Sequence, residues 1–182
     1  MPWVLVAATL ATATVVGLWR PVAPTAGQWG FLAALLLVVP LLAPAYWGEE
    51  FGWTSYLRLR LFPGRPLAAT LGTGLVWAVW HYPLAFLGYI EFPDVVVGLA
   101  VWTFSFLCQE VILSWLRIRG GTVWTASVAH AGNNMVLSLI TGFALGGSAD
   151  ATATTALMAV PLAVVAGWVV LSGRVGGVPA RS

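Results

Sequence analysis

The stretch WGFLAALLLVVPLLAPAYWGEE, residues 29–50, is an apolar run that ends in two adjacent carboxylates. It is long enough for an α-helix to cross a hydrocarbon core of about 30 Å, which takes roughly 20 residues. The stretch therefore predicts a transmembrane helix. A carboxylate embedded in a membrane costs free energy that a function or a partner must offset, so Glu49 and Glu50 are the first candidates for a functional site.

The composition of the whole chain points to the same class of protein. Its 182 residues are 60% hydrophobic and 8% charged, and none is lysine. Such a chain cannot hide its apolar surface in one soluble core, so we expect the lipid bilayer to be its solvent. The net charge of +2 comes from arginines spread over short loops without a nucleic-acid motif, which argues against a nucleic-acid partner. The single cysteine, Cys108, excludes an intramolecular disulfide.

Proline, glycine and charged residues divide the chain into six apolar segments. Their approximate ranges are 3–19, 29–57, 67–90, 95–116, 122–145 and 152–172. We therefore predict an all-α protein: a polytopic transmembrane bundle of about six helices in a single integral membrane domain over residues 1–182. The first segment is interpreted as a retained helix. The second is longer than a simple span, so we expect it to tilt or to project beyond the bilayer.

The charged residues of the loops predict the orientation of the bundle. Arginines follow the second, fourth and sixth segments, namely Arg58, Arg60, Arg65, Arg117, Arg119, Arg174 and Arg181. The opposite loops carry Glu91, Asp94 and Asp150, with Arg20 as the one positive charge on that side. The positive-inside rule then places both termini in the cytoplasm of a multi-pass cell-membrane protein.

Both histidines of the chain lie inside apolar segments. His81 occurs in GLVWAVWHYPL and His130 in WTASVAHAGNN. Ionisable side chains in membrane helices usually face the bundle interior and mark a site or a pathway. The competing interpretation is a pair of core histidines whose hydrogen bonds are satisfied by neighbours. His130 and Asn134 are four residues apart and so share one face of a helix, which favours a common site.

The two glutamates are expected to differ in role. Successive residues on an α-helix point about 100° apart, so one of Glu49 and Glu50 can face a site while the other braces it. Counted from the nearest arginines, the glutamates and His130 lie about 12–17 Å below the cytoplasmic boundary. The same count places His81 about 24 Å deep, which is a mismatch unless the loop before its helix dips into the membrane or the helix tilts.

Two carboxylates, two histidines and an amide are the parts of a hydrolytic site. A glutamate helped by a histidine can take a proton from water, while a second histidine and an amide donate hydrogen bonds to an oxyanion. Glu49, His81 and His130 could instead hold a divalent metal such as zinc whose bound water attacks. The residues alone leave both mechanisms open. Ser127 lies near His130, but a small polar residue in a membrane helix more often serves packing than nucleophilic attack.

Three motifs in order resemble those of a known family. The pattern EExxxR appears as EEFGWT at 49–54, FxxxH as WAVWH at 77–81, and HxxxN as the stretch HAGNN at 130–134. They lie on the second, third and fifth predicted helices. This arrangement is similar to that of the CAAX-protease and bacteriocin-processing intramembrane proteases, also called the abortive-infection family. The resemblance covers a motif-bearing core of about residues 40–140.

The resemblance implies hydrolysis of a peptide bond within the membrane. Glu49 and His81 would activate water, His130 and Asn134 would stabilise the oxyanion, and Glu50 would belong to the same catalytic set. The implied partner is a peptide or protein substrate, either free or membrane-anchored, and family members are often called metalloproteases. The sequence indicates neither the substrate nor the oligomeric state.

One departure from the family pattern concerns an ion pair. Thr54 stands where the pattern has arginine, four residues after Glu50. Glu50 must therefore find another partner, such as an arginine of a neighbouring element, or stay protonated. The departure motivates a second hypothesis, a catalytically silent family member that binds a membrane partner or confers immunity to a peptide. The pattern's phenylalanine is Trp77 here, which keeps an aromatic side chain.

A further carboxylate lies in the fourth apolar segment. Glu110 occurs in FSFLCQEVILSW, about 10 Å from the cytoplasmic end of its helix. Glu110 could be a functional group or the partner of Arg117 or Arg119. Because a side chain at that depth can reach water, we favour the structural role.

Overall fold

The computed structural model describes residues 1–176 and contains only helices and loops in that range. Arg181, one of the arginines used for the orientation, lies outside the described residues. The helices of the described range are α1 (Pro2–Val15), α2 (Ala26–Arg60), α3 (Pro66–Phe86), α4 (Val95–Gly120), α5 (Val123–Leu145) and α6 (Ala151–Leu171). A 3₁₀ turn, Arg174–Gly176, follows α6. The all-α, six-helix prediction is confirmed.

Four of these helices are long and apolar enough to cross a membrane, namely α2, α4, α5 and α6. With 35 residues, α2 is about 52 Å long at 1.5 Å per residue, which exceeds the thickness of a hydrocarbon core. In the most apolar 18-residue stretch of α2, only 11% is buried inside the protein. The apolar residues of α2 therefore face outward, as expected for a helix that contacts lipid.

Side-chain caps explain where the helices begin. Thr25 accepts a hydrogen bond from the backbone N–H of Gln28, whose side chain in turn accepts from Thr25, forming a capping box before α2. Asp94 and Asp150 accept from the third residue of α4 and α6 respectively. Gly121, at a φ of 66°, ends α4 in the left-handed conformation that glycine adopts without strain.

The helix α4 lies at the centre of the bundle. One face contributes Val111 and Ile112 to an apolar cluster shared with α1, α2, α5 and α6. The opposite face contributes Phe106 and Leu113 to a second cluster shared with α3 and α5. Because α4 contacts both clusters, it determines how α3 and α5 approach each other. That approach brings the second and third motifs together.

Two segments depart from regular α-helix, and both carry motif residues. Residues Phe51–Leu57 of α2 and Asn133–Ser138 of α5 are π-helical. In each segment a side-chain hydroxyl donates to a backbone carbonyl near the beginning of the segment. Thr54 Oγ1 donates to the carbonyl of Glu50, and Ser138 Oγ donates to the carbonyl of Asn133. The apolar pattern predicted continuous helices here and gave no sign of these π segments, which often occur at functional sites.

Candidate active site

A contact between Glu50 and His130 forms the buried centre of the candidate site. His130 Nδ1 lies 2.8 Å from Glu50 Oε1, and the two side chains are 2% and 0% exposed, His130 first. Glu50 ends the α-helical part of α2, and His130 lies three residues before the π segment of α5. Because Nδ1 of His130 is hydrogen-bonded to Glu50, Nε2 is the ring nitrogen that remains to bind a ligand.

His81 has its own backbone partner. Its Nδ1 lies 2.9 Å from the carbonyl oxygen of Trp77, one turn earlier on α3. A carbonyl can only accept, so Nδ1 carries the proton and Nε2 presents a lone pair. The rings of Trp80 and Phe106 lie 4.8 and 4.6 Å from the imidazole ring. These rings fix the orientation of His81 on one side.

Trp77 joins the two histidines. Its ring centroid lies 5.8 Å from that of His81 and 5.0 Å from that of His130, both edge to face. The side chain of Trp77 is 1% exposed and packs on Phe106 of α4. Trp77, the aromatic residue of the second motif, therefore lies between the two histidines and holds both rings against the packed interior.

Glu49 faces a more open region than Glu50. It is half-buried, and its buried Oε2 atom has no hydrogen-bond partner in the part of the chain that the structure describes. It lies three residues after Tyr46, on the same side of α2. The expectation that the two glutamates differ is consistent with this arrangement, because Glu50 is fully buried and held by His130 while Glu49 is partly exposed.

Tyr46 is a member of the cluster that the motifs do not contain. Its hydroxyl oxygen accepts a hydrogen bond of 3.2 Å from Asn134 Nδ2, and its ring lies 4.5 Å from that of His130. Tyr46 precedes Glu49 by three residues and Glu50 by four, so it shares their side of α2. This spacing was the signal in the sequence that could have identified Tyr46 as a member of the site. Tyr46 thus links the first motif to both polar residues of the third.

The residues of this cluster lie in a stretch of the chain that matches a protein family. Comparison with family models matches residues 25–136 to the type II CAAX prenyl endopeptidase, Rce1-like family, which is more than half of the chain. The chain belongs to this family. The resemblance inferred from the three motifs is therefore confirmed. Comparison with curated proteins and with solved structures gave no match.

Membership in the Rce1-like family supports a membrane peptidase. The matched range begins at Thr25, the cap of α2, and ends at Val136 in the π segment of α5. It includes every side chain of the three motifs together with Tyr46 and the whole of α3 and α4. The first and sixth helices lie outside the match.

The family pattern has an arginine four residues after Glu50. Among residues 1–176, no other arginine hydrogen-bonds to the Glu50 carboxylate in its place. Thr54 is 1% exposed and donates to the Glu50 backbone rather than to its side chain. The nearest arginine along α2, Arg58, donates to Thr70 Oγ1 and to the carbonyl of Val175. The hydrogen-bonded partner of Glu50 is therefore a histidine. Arg58 itself is 8% exposed, so it is not the free loop arginine that the predicted orientation assumed.

A three-residue metal site is not assembled in the described part of the chain. Residues 1–176 contain no group of three His, Cys, Asp or Glu side chains that could hold a metal ion. In the described residues, Glu49, His81 and His130 are not grouped closely enough to hold one ion together. The residues present do not fit the metal alternative.

Two other polar residues have structural partners. Ser127 Oγ donates 2.9 Å to the carbonyl of Val123 and is buried, which does not favour a nucleophilic role. Glu110 is fully buried rather than near water, and Ser114 donates to it. Arg117, one of its expected partners, instead donates from Nε to Ser55 Oγ. Neither Arg117 nor Arg119 forms a salt bridge with Glu110 in the described part of the chain, so the predicted pairing is wrong.

Proposed function

We propose that this protein is an intramembrane endopeptidase in which Glu49 and His81 activate water and His130 and Asn134 stabilise the oxyanion. The observation that carries the proposal is the convergence of the three motifs around Trp77 and Tyr46, inside the range matched to a peptidase family.

The proton-transfer side of the site consists of Glu49 and His81. Glu49 is partly exposed, and its buried Oε2 has no partner among the described residues, so this carboxylate has the capacity to take a proton from a water held in the site. His81 presents Nε2 as a lone pair because its Nδ1 proton is donated to the backbone. Water held between these acceptors would lose a proton to Glu49 while its oxygen attacks the scissile carbonyl carbon.

The opposite side of the site supplies hydrogen-bond donors. The second N–H of the Asn134 amide is available, because one N–H is given to Tyr46. His130 is held by Glu50 at Nδ1 and can direct an Nε2–H toward the developing oxyanion. Preorganised donors of this kind commonly contribute a factor of about 100 to 1,000 to kcat.

The substrate class that fits is a peptide or protein that reaches the site within the membrane. The family description names CAAX prenyl endopeptidases, so a prenylated peptide ending in a CAAX sequence is the first probe. We further propose a multi-pass protein of the cell membrane with both termini in the cytoplasm. A reporter fused after residue 182 tests the orientation, and a C-terminal reporter found outside the cytoplasm would overturn it.

The deciding experiment uses Glu49→Gln in purified protein reconstituted into liposomes. Cleavage of a fluorogenic prenylated CAAX peptide should fall at least about 100-fold, because the amide cannot accept the proton from water. Glu91→Gln is the matched control, since Glu91 is an exposed loop residue. Retention of wild-type cleavage by Glu49→Gln would refute the assignment of the base.

The second hypothesis, a catalytically silent partner-binding protein, is motivated by Thr54. It predicts that replacing His130 leaves the cellular phenotype of the protein unchanged. Loss of that phenotype in a folded His130 variant, together with peptide cleavage by the wild-type protein, would exclude it.

A further inference from the structure

The first helix, α1, lies outside the range matched to the family, yet it packs against the part of α5 that carries the third motif. Pro2 of α1 approaches Gly132 of α5 so closely that a Cβ built on that glycine would lie 2.8 Å from Pro2 Cγ. Gly132 is buried and lies two residues after His130 and two before Asn134. The contact with α1 therefore occurs within the third motif itself.

This contact is on the opposite side of α5 from the candidate site. At about 100° per residue, Gly132 points about 160° away from both His130 and Asn134. Those two side chains are hydrogen-bonded to Glu50 and Tyr46 of α2, at 2.8 and 3.2 Å. At the level of the third motif, α5 is therefore held between α1 on one side and α2 on the other.

The next turn of α1 continues the packing. Leu5 and Val6 are 2% and 6% exposed, and they belong to the same apolar cluster as Val136 and Leu137 of α5. Both α5 residues lie in the π segment that also contains Asn134. The first two turns of α1 therefore cover the back of the third motif and of the π segment into which it continues.

The glycine at position 132 is required by the close approach of α1 rather than by its own backbone. Its φ of −64° and ψ of −40° are helical, and alanine is a better helix former than glycine. Ordinary van der Waals contact begins at about 3.4 Å, so a methyl group at this position would displace one of the two helices by about 0.6 Å. Pro2 Cγ belongs to a ring and cannot turn aside as the end of a flexible side chain can.

We propose that α1 positions the candidate site, with Pro2 and Gly132 as positioning residues that set the separation of α5 from α2. Because α5 is supported from behind, His130 and Asn134 stay at hydrogen-bonding distance from Glu50 and Tyr46. The working site thereby extends to a helix that the family model does not match. The effect on catalysis rests on the proposed peptidase function, whereas the effect on the position of His130 does not.

The first test follows the imidazole of His130 without requiring any activity. The chain has two histidines, so protein labelled with ¹⁵N-histidine and purified without a histidine tag gives two sets of imidazole signals by NMR in detergent, which His81→Gln assigns. Gly132→Ala should shift the His130 signals. Gly142→Ala should leave them in place. Gly142 is the matched control because it also lies on α5 and nothing is within 4 Å of its Cβ position.

A compensating substitution separates the contact with α1 from the mere presence of a methyl group near His130. Pro2→Ala removes Cγ and leaves Cβ, which is 3.4 Å from the Cβ position of Gly132. The double variant Pro2→Ala/Gly132→Ala should therefore return the His130 signals to their wild-type positions. Unchanged His130 signals in Gly132→Ala, or a shift that persists in the double variant, would overturn the proposal.

The second test measures peptide cleavage by the same variants in liposomes. A displacement of about 1 Å can cost about 100-fold in rate, so a displacement of about 0.6 Å in Gly132→Ala should lower kcat roughly tenfold with little change in KM. Pro2→Ala/Gly132→Ala should recover kcat to within about threefold of wild type, and Gly142→Ala should not lose it. Wild-type kcat in Gly132→Ala, or no recovery in the double variant, would overturn the positioning role. If the wild-type protein cleaves no probe, only the proposed function fails, because the NMR test stands alone.

Discussion

The 2.8 Å contact between His130 Nδ1 and Glu50 Oε1 joins two helices through residues that are 80 positions apart in the chain. Both side chains are buried, so neither can exchange its partner for water without opening the bundle. The contact links the first and third motifs of a family of membrane peptidases. It also gives Glu50 a partner in a chain where Thr54 occupies the position of the pattern's arginine.

The first prediction concerns the strength of this pair. Glu50→Ala leaves the Nδ1 atom of His130 buried without its partner, and a buried polar group left unsatisfied typically costs about 1–3 kcal/mol. We expect a loss of unfolding free energy of about that size in detergent. The double variant Glu50→Ala/His130→Ala should lose less than the sum of the two single variants, because the same contact is removed only once. Strict additivity would contradict direct coupling.

The second prediction concerns the hydroxyl of Tyr46. Tyr46→Phe keeps the ring against His130 but removes the oxygen that accepts from Asn134. The Asn134 amide then loses one of its hydrogen-bond partners, so kcat should fall roughly tenfold while KM changes little. Tyr89→Phe is the control, since Tyr89 is exposed in the loop after α3. Wild-type kcat in Tyr46→Phe would show that the hydroxyl does not orient Asn134.

Much of this arrangement could be predicted from the sequence. The apolar segments indicated six helices, and the four-residue spacing of His130 and Asn134 put both on one helix face, where both contact Tyr46. These features depend on local periodicity, which a sequence displays directly. The motif order then indicated which helices had to meet.

Other features depend on contacts that periodicity does not encode. Counting residues from Arg65 placed His81 deeper than His130, whereas in the structure both rings lie against Trp77. Depth counting assumes that each helix starts at the same level and runs straight, so it does not show which side chains meet. The burial of Glu110 was likewise hidden, because it depends on the close approach of Gly74 from another helix.

The third prediction addresses the family arginine. Thr54 is 1% exposed and its hydroxyl donates 2.8 Å to the Glu50 carbonyl within the π segment. Thr54→Arg should destabilise the protein, because a long charged side chain would enter a closed, packed position. Thr54→Ser is the matched control, since it keeps the hydroxyl. Thermal unfolding in detergent and peptide cleavage compare the two variants. A more stable or more active Thr54→Arg would mean that the position still accommodates the arginine of the family pattern.

The fourth prediction concerns Arg58, which connects three parts of the chain. Its guanidinium donates to Thr70 of α3 and to the carbonyl of Val175 in the turn after α6, at 2.8 and 2.9 Å. Arg58→Met keeps an unbranched apolar chain but leaves both acceptors without this donor, and charged hydrogen bonds contribute about 1.5–3 kcal/mol each. We therefore expect the unfolding free energy to fall by about 3 kcal/mol, measured by tryptophan fluorescence during denaturation. Arg60→Met is the control, because Arg60 is exposed and stacks on Tyr56 at 3.8 Å from the ring. An equal, small loss of unfolding free energy in both variants would contradict this prediction. Arg58 would then behave as a surface charge like Arg60, and its hydrogen bonds from α2 to the turn after α6 would not contribute to stability.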